Sequence, residues 1–146
     1  MKATLKGPQQ LIGPIPQNDD LRLLLVTFRR MGAHGLKDAS ACNAIMHRFG
    51  QSYRQPYLLI QALMVDLSRH CRLSFTIAPC CCRQMTTDEA QLLSIFAVSQ
   101  SNPARAIMLL SDLTGNRECH SVLATIDAVR GAFASHGMAL GLDETA

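Results

Sequence analysis

Cys80, Cys81 and Cys82 follow Pro79 without interruption, so half of the chain's six cysteines sit in one short connector. Thiolates are soft, strongly donating ligands, and a structural zinc site wants four such donors in a tetrahedron. In an extended segment alternate side chains share a face. Cys80 and Cys82 are therefore expected to chelate together while Cys81 points away, with Cys71, His34, Cys119 or His120 completing a set for Zn or Fe in a structural or regulatory role. The run lacks the C-x2-C spacing of standard zinc modules, and small soft thiols also serve simply to fill a corner between helices.

A second chemistry uses one thiol as a nucleophile or redox sensor, which requires a cation or a helix N-terminus to favour the thiolate. Arg72 and Arg83 are close in sequence, and adjacent thiols can resolve an oxidised neighbour, whereas Asp88 and Glu89 bring opposing charge. Around the first turn Arg29, Arg30 and Lys37, together with Arg83, form a candidate contact for an anion or a protein partner; the plainer account is a solvated basic turn. Cys42 lies on an apolar stripe with Ile45, Met46 and Phe49 and is expected to pack in the core. His47 and His136 receive no role.

Other classes are disfavoured by what the chain lacks. It has no recognisable nucleophile triad, phosphate loop or metal signature, so nothing points to an enzyme. Fourteen basic and eleven acidic residues give a formal charge of +3, too little to build a phosphate-attracting face, and nucleic acid is not an expected partner. The apolar stretches Leu23 to Phe28 and Tyr57 to Val65 fall short of the roughly 20 residues of a membrane span. The first residues lack the apolar core of a signal peptide and are broken by Pro8, Pro14 and Pro16. Neighbouring cysteines bridge only with strain, which argues against a disulfide framework and for a reducing cytoplasm. A third class stays open: a metal-free helical interaction module whose seven methionines adapt to a protein partner.

Positioning these residues requires helices. Leu21, Leu24, Leu25 and Phe28 recur at i, i+3, i+4, i+7 and predict a helix from about Asp20 to the glycines at 32 and 35. Asp38 or Ser40 opens a second helix that Gly50 stops, and Pro56 opens a third that runs to about His70. Residues 71–85 have no helical period and form a connector with a few extended residues. Thr86 and Glu89 make a capping box for a fourth helix carrying Leu92, Leu93 and Phe96. Asn102 and Pro103 open a fifth that ends at Gly115, and a sixth runs from about Ser121 through Val122, Ile126, Val129 and Phe133.

The expected architecture is thus all-α, a single-domain bundle of about six helices in an up-and-down meander. A flexible arm over residues 1–18 precedes the helical domain at 19–137, and a loose tail covers 138–146. Strict alternation would bring the 1–2 turn, the 3–4 connector and the 5–6 turn to one end of the bundle. That end would gather His34, His70, Cys71, the triple cysteine, Cys119 and His120.

Two stretches, Arg29-Arg30-Met31-Gly32-Ala33-His34-Gly35-Leu36 and Ile77-Ala78-Pro79-Cys80-Cys81-Cys82, resemble those of a small uncharacterised protein family from alphaproteobacteria. The similarity runs from roughly Leu21 to Phe133. It implies a compact bacterial domain, transfers no catalytic residue, and pairs the His34 turn with the cysteine run. Residues 71–76 and the N-terminal arm match no feature of that family.

Overall fold

Helix boundaries follow the capping chemistry of the sequence. In the computed structural model, which describes residues 3–4 and 11–137, α1 spans Asp19–His34. The Asn18 side chain accepts the backbone N–H groups of Asp20 and Leu21 at 2.9 and 3.0 Å, satisfying donors that the first turn leaves free. Gly35, at φ 107°, a positive-φ conformation open to glycine, closes the helix with its N–H on Met31 O. Asp38 caps α2, Ala39–Phe49, by accepting from the Ala41 N–H.

A single 3-10 turn, Gly50–Ser52, leads into α3 at Arg54–His70. The helix therefore begins two residues before Pro56, because Tyr53 already has helical dihedrals and the chain runs on from the 3-10 turn. The capping box at Thr86 and Glu89 opens α4, Thr87–Val98, with both reciprocal hydrogen bonds made. α5, Pro103–Thr114, starts at the Asn102 cap and ends at Gly115 in the left-handed region, and α6 covers His120–Ala134.

Four short strands complete the described structure. β1, Ala3–Thr4, pairs in parallel with β3, Phe75–Thr76. β2, Leu11–Pro14, pairs antiparallel with β4, Gln84–Thr86. Part of the expected mobile arm is thus a paired strand. The physical reason lies in the connector: an isolated β4 would leave a row of backbone donors and acceptors unmade, and β2 supplies their partners. Pro14, which has no N–H to give, stands at the end of that edge strand. Residues 1–2 and 5–10 of the arm, and the tail expected over 138–146, lie outside the described residues.

The described residues form a mostly helical single domain whose core takes in all six helices together with Phe75 and Ile77 of the connector. Leu24, Leu25, Ile60, Leu63, Leu67, Leu92, Phe96, Leu110, Ile126 and Phe133 are all at most 2% exposed. The most extensive helix packing joins α3 to α6, followed by α4 with α5 and α1 with α2. No helix is long and apolar enough to cross a membrane among the described residues.

Candidate functional site

Two charged residues interrupt the apolar stripes of α1 and α4, and they meet. Arg29 stands four residues after Leu25, Glu89 three before Leu92, and both side chains are 2% exposed. The pair is bidentate: Arg29 Nε donates to Glu89 Oε2 at 2.8 Å and Nη2 to Oε1 at 2.9 Å. Such a buried pair persists only where its remaining donors and lone pairs are satisfied. Here they are satisfied by the connector. Arg29 donates to the carbonyls of Cys82 and Gln84 at 2.7 and 2.8 Å, while Glu89 accepts the N–H groups of Ala78 and Thr86 at 3.1 and 2.9 Å.

Those four backbone partners flank the triple cysteine on both sides. Between them the Cys82 N–H donates to the Pro79 carbonyl at 3.0 Å, closing a turn whose corner residues are Cys80 and Cys81. Both corner residues are exposed, and Cys82 is half-buried. The run is therefore a tight turn, not the extended segment that would set Cys80 and Cys82 on one face. Further bonds stiffen its base: Thr86 Oγ1 donates to the Thr76 carbonyl at 2.8 Å, and the Thr76 N–H donates to Asp88 Oδ2 at 2.7 Å.

Arg30, the next residue of α1, reaches the rim of the turn. Its guanidinium makes two bonds to the Asp38 carboxylate, at 3.0 and 3.1 Å, and Nη1 lies 3.8 Å from Cys80 Sγ. These contacts, first Asp38 and then the Cys80 sulfur, raise the guanidinium pKa and keep it firmly cationic. Conversely the Arg30 hydrogen bonds, and after them the Ala41 N–H, hold the Asp38 carboxyl below its ordinary value. His34 and Lys37 are exposed in the same α1–α2 turn, and Arg83 is exposed just after Cys82.

The other expected ligands lie in a second neighbourhood. The end of α3 is bound to the α5–α6 turn: the N–H groups of Arg72 and Leu73 donate to Thr114 O, and Asn116 Nδ2 donates to the His70 carbonyl at 3.1 Å. Cys71 Sγ donates to Leu73 O at 3.1 Å. Burial, and secondarily the charge of Asp88, push the Cys71 thiol up. Cys119 is wholly buried, with its sulfur 3.5 Å from Ser111 Oγ. His120 begins α6 and is exposed. His70 accepts or donates to Ser121 Oγ at 3.4 Å, while its Nδ1 meets the Asp66 carbonyl one helical turn back, the same contact His136 makes with Ala132 at the end of α6.

Among the described residues no three His, Cys, Asp or Glu side chains converge so as to hold a metal ion. The expected set Cys80, Cys82, Cys71, His34, Cys119 and His120 thus does not come together as a three-ligand group for Zn or Fe, and Cys119 is in the core. Arg29, grouped by sequence with Arg30, Lys37 and Arg83 as a surface contact for an anion or partner, lies in the core, with its guanidinium bonded to Glu89 and two carbonyls. Cys42 is half-buried, and Tyr57 lies close enough for the Cys42 thiol to help raise the phenol pKa, after the larger effect of burial.

A small helical domain that presents cysteines on a turn clamped by a buried ion pair is the class these features define. The chain belongs to a family of unknown function (DUF6628), whose model matches residues 6–139. That span takes in β2, so the strand over the connector is part of the family's domain. No curated protein and no solved structure matches the chain.

Proposed function

We propose that this domain is a thiol-based redox sensor whose responsive element is the turn Pro79–Cys82. One observation carries the reading: Cys80 is exposed on a turn anchored at both ends, with the Arg30 guanidinium 3.8 Å from its sulfur. A guanidinium beside an exposed sulfur draws polar oxidants towards it, and the thiolate is the form that attacks them. Attack on a hydroperoxide joins sulfur to the terminal oxygen, breaks the O–O bond, and releases an alcohol or water; Cys80 becomes a sulfenic acid. The setting this chemistry suits is a reducing compartment such as the cytoplasm.

Metal chemistry has no comparable support, because the turn offers no third converging ligand among the described residues. The test is trapping. Reduced full-length protein is exposed to a hydroperoxide in the presence of dimedone, and the labelled cysteines are mapped by mass spectrometry. Label should concentrate on Cys80 and vanish in Cys80→Ser. Equal labelling of Cys42, Cys71 and Cys80, or none, would remove the proposal.

A further inference from the structure

An oxidised or activated Cys80 needs a partner, and the protein does not readily provide one. Residues joined by a trans peptide have Cα atoms about 3.8 Å apart, short of the roughly 4.4–6.8 Å span that disulfides usually require. Bonds between Cys80 and Cys81, or Cys81 and Cys82, are therefore strained. Cys82 is half-buried and held at both backbone polar groups, its N–H on Pro79 O at 3.0 Å and its carbonyl on Arg29 at 2.7 Å, so its backbone has little freedom to adjust to a bridge with Cys80. Cys119 is in the core, and Cys71 is bonded to Leu73 in the other neighbourhood.

The charges around the turn say what kind of external partner fits. Its two nearby aspartates are each half-buried and engaged, Asp38 by Arg30 and the Ala41 N–H, Asp88 by the Thr76 N–H. Arg29 and Glu89 cancel one another in the core. The fully exposed charges beside the turn are cationic, Lys37 next to Asp38 and Arg83 next to Cys82, while Arg30, partly exposed against Cys80, shares its charge with Asp38.

We infer that the cysteine turn is a site of reversible mixed-disulfide formation with a small anionic disulfide of the glutathione type, and that Cys80 is the residue that accepts it. This rests on the redox reading above and names the ligand class. In the step, the Cys80 thiolate attacks one sulfur of the disulfide. The new protein–ligand S–S bond forms as the old S–S bond breaks, and the other half leaves as a thiolate that takes a proton from water. Attack by a free thiol reverses it, and no further oxidant is needed.

Three probes on the reduced full chain test it: glutathione disulfide, neutral 2-hydroxyethyl disulfide and cationic cystamine. Each rate is normalised to that with a short cysteine peptide, and adducts are located by intact mass and peptide mapping. The expected result is a single adduct at Cys80, fastest with glutathione disulfide. That preference should fall on the order of three- to tenfold in the double variant Lys37→Glu, Arg83→Glu, and fall again with added salt. Both substituted residues are exposed, and circular dichroism checks that the variant folds. Equal normalised rates for the three probes, or accumulation of an internal disulfide, would overturn the inference. If dimedone still traps Cys80 after hydroperoxide, only the ligand class has failed; if neither oxidant reacts there, the redox reading falls with it.

Discussion

Arg29 ties α1 to α4 and to the connector through four side-chain hydrogen bonds. Removing it leaves the Glu89 carboxylate buried with two backbone donors and no counter-charge, and frees the carbonyls of Cys82 and Gln84. Arg29→Met should therefore cost about 3–5 kcal/mol, read as a lowered urea midpoint, because breaking a buried pair from one side is far worse than replacing both partners. Arg30→Met should leave the midpoint nearly unchanged, since its pair with Asp38 is partly exposed, yet slow hydroperoxide attack at Cys80. Cys71, whose thiol burial pushes up, should label with iodoacetamide more slowly than Cys80 near neutral pH. The Arg29–Glu89 contact bridges 60 residues and cannot be read as a motif. A signal was nonetheless present: Arg29 continues the stripe of Leu25 and Phe28, and Glu89 that of Leu92, Leu93 and Phe96. Opposite charges on two faces that must both be buried require each other. Reading Arg29 with its neighbour Arg30 as surface charge missed that, because adjacent helical residues point about 100° apart.

At the level of elements, local chemistry set the helix ends and tertiary contacts set the connector. The caps at Asp38, Thr86 and Asn102 and the stops at Gly35, Gly50 and Gly115 are legible because each is a contact within a few residues. The strand over the connector is not, since β2 and β4 lie some seventy residues apart and neither has a long alternating pattern. Asp38 links the two levels, capping α2 while holding Arg30. Its depressed folded-state pKa means that its stabilising contribution is fully present above the ordinary carboxyl value of 3.8 and is lost as the pH falls through the lower folded-state value. Acid titration of Asp38→Asn should show that component missing. Gly115 is a second element-level control point. It has φ +71°, and a Cβ there would lie 2.7 Å from Leu73 Cγ, so Gly115→Ala should destabilise by about 1–3 kcal/mol in thermal melts.

For the whole molecule, the connector meets the end of α1 through Arg29 and Arg30 and the α5–α6 turn through Arg72 and Leu73, so the turns that helix alternation groups do share the connector. The all-α architecture was legible from stripes and caps; where each thiol points within that end was not, because that depends on the turn and side-chain contacts the connector makes after docking. The N-terminal strand ties the first neighbourhood to the chain's beginning, through the β2–β4 register and the Ile15 N–H bonded to Arg83 O at 2.9 Å. Deleting residues 1–17 should raise amide hydrogen exchange selectively over residues 83–86 while α3 and α6 stay protected. Uniform loss of protection would mean that the strand supports the entire fold.

The clamp on the cysteine turn also imposes a timetable. Arg29 leaves the ribosome before the cysteines, but Glu89 emerges after them, and until it does the Ala78 N–H lacks its acceptor and Arg29 lacks the counter-charge that lets it be buried. During synthesis the three thiols are ordinary, unpositioned side chains on an open loop, without a placed guanidinium beside them. The arrangement that sets a guanidinium beside Cys80 exists only once the connector has docked on α1.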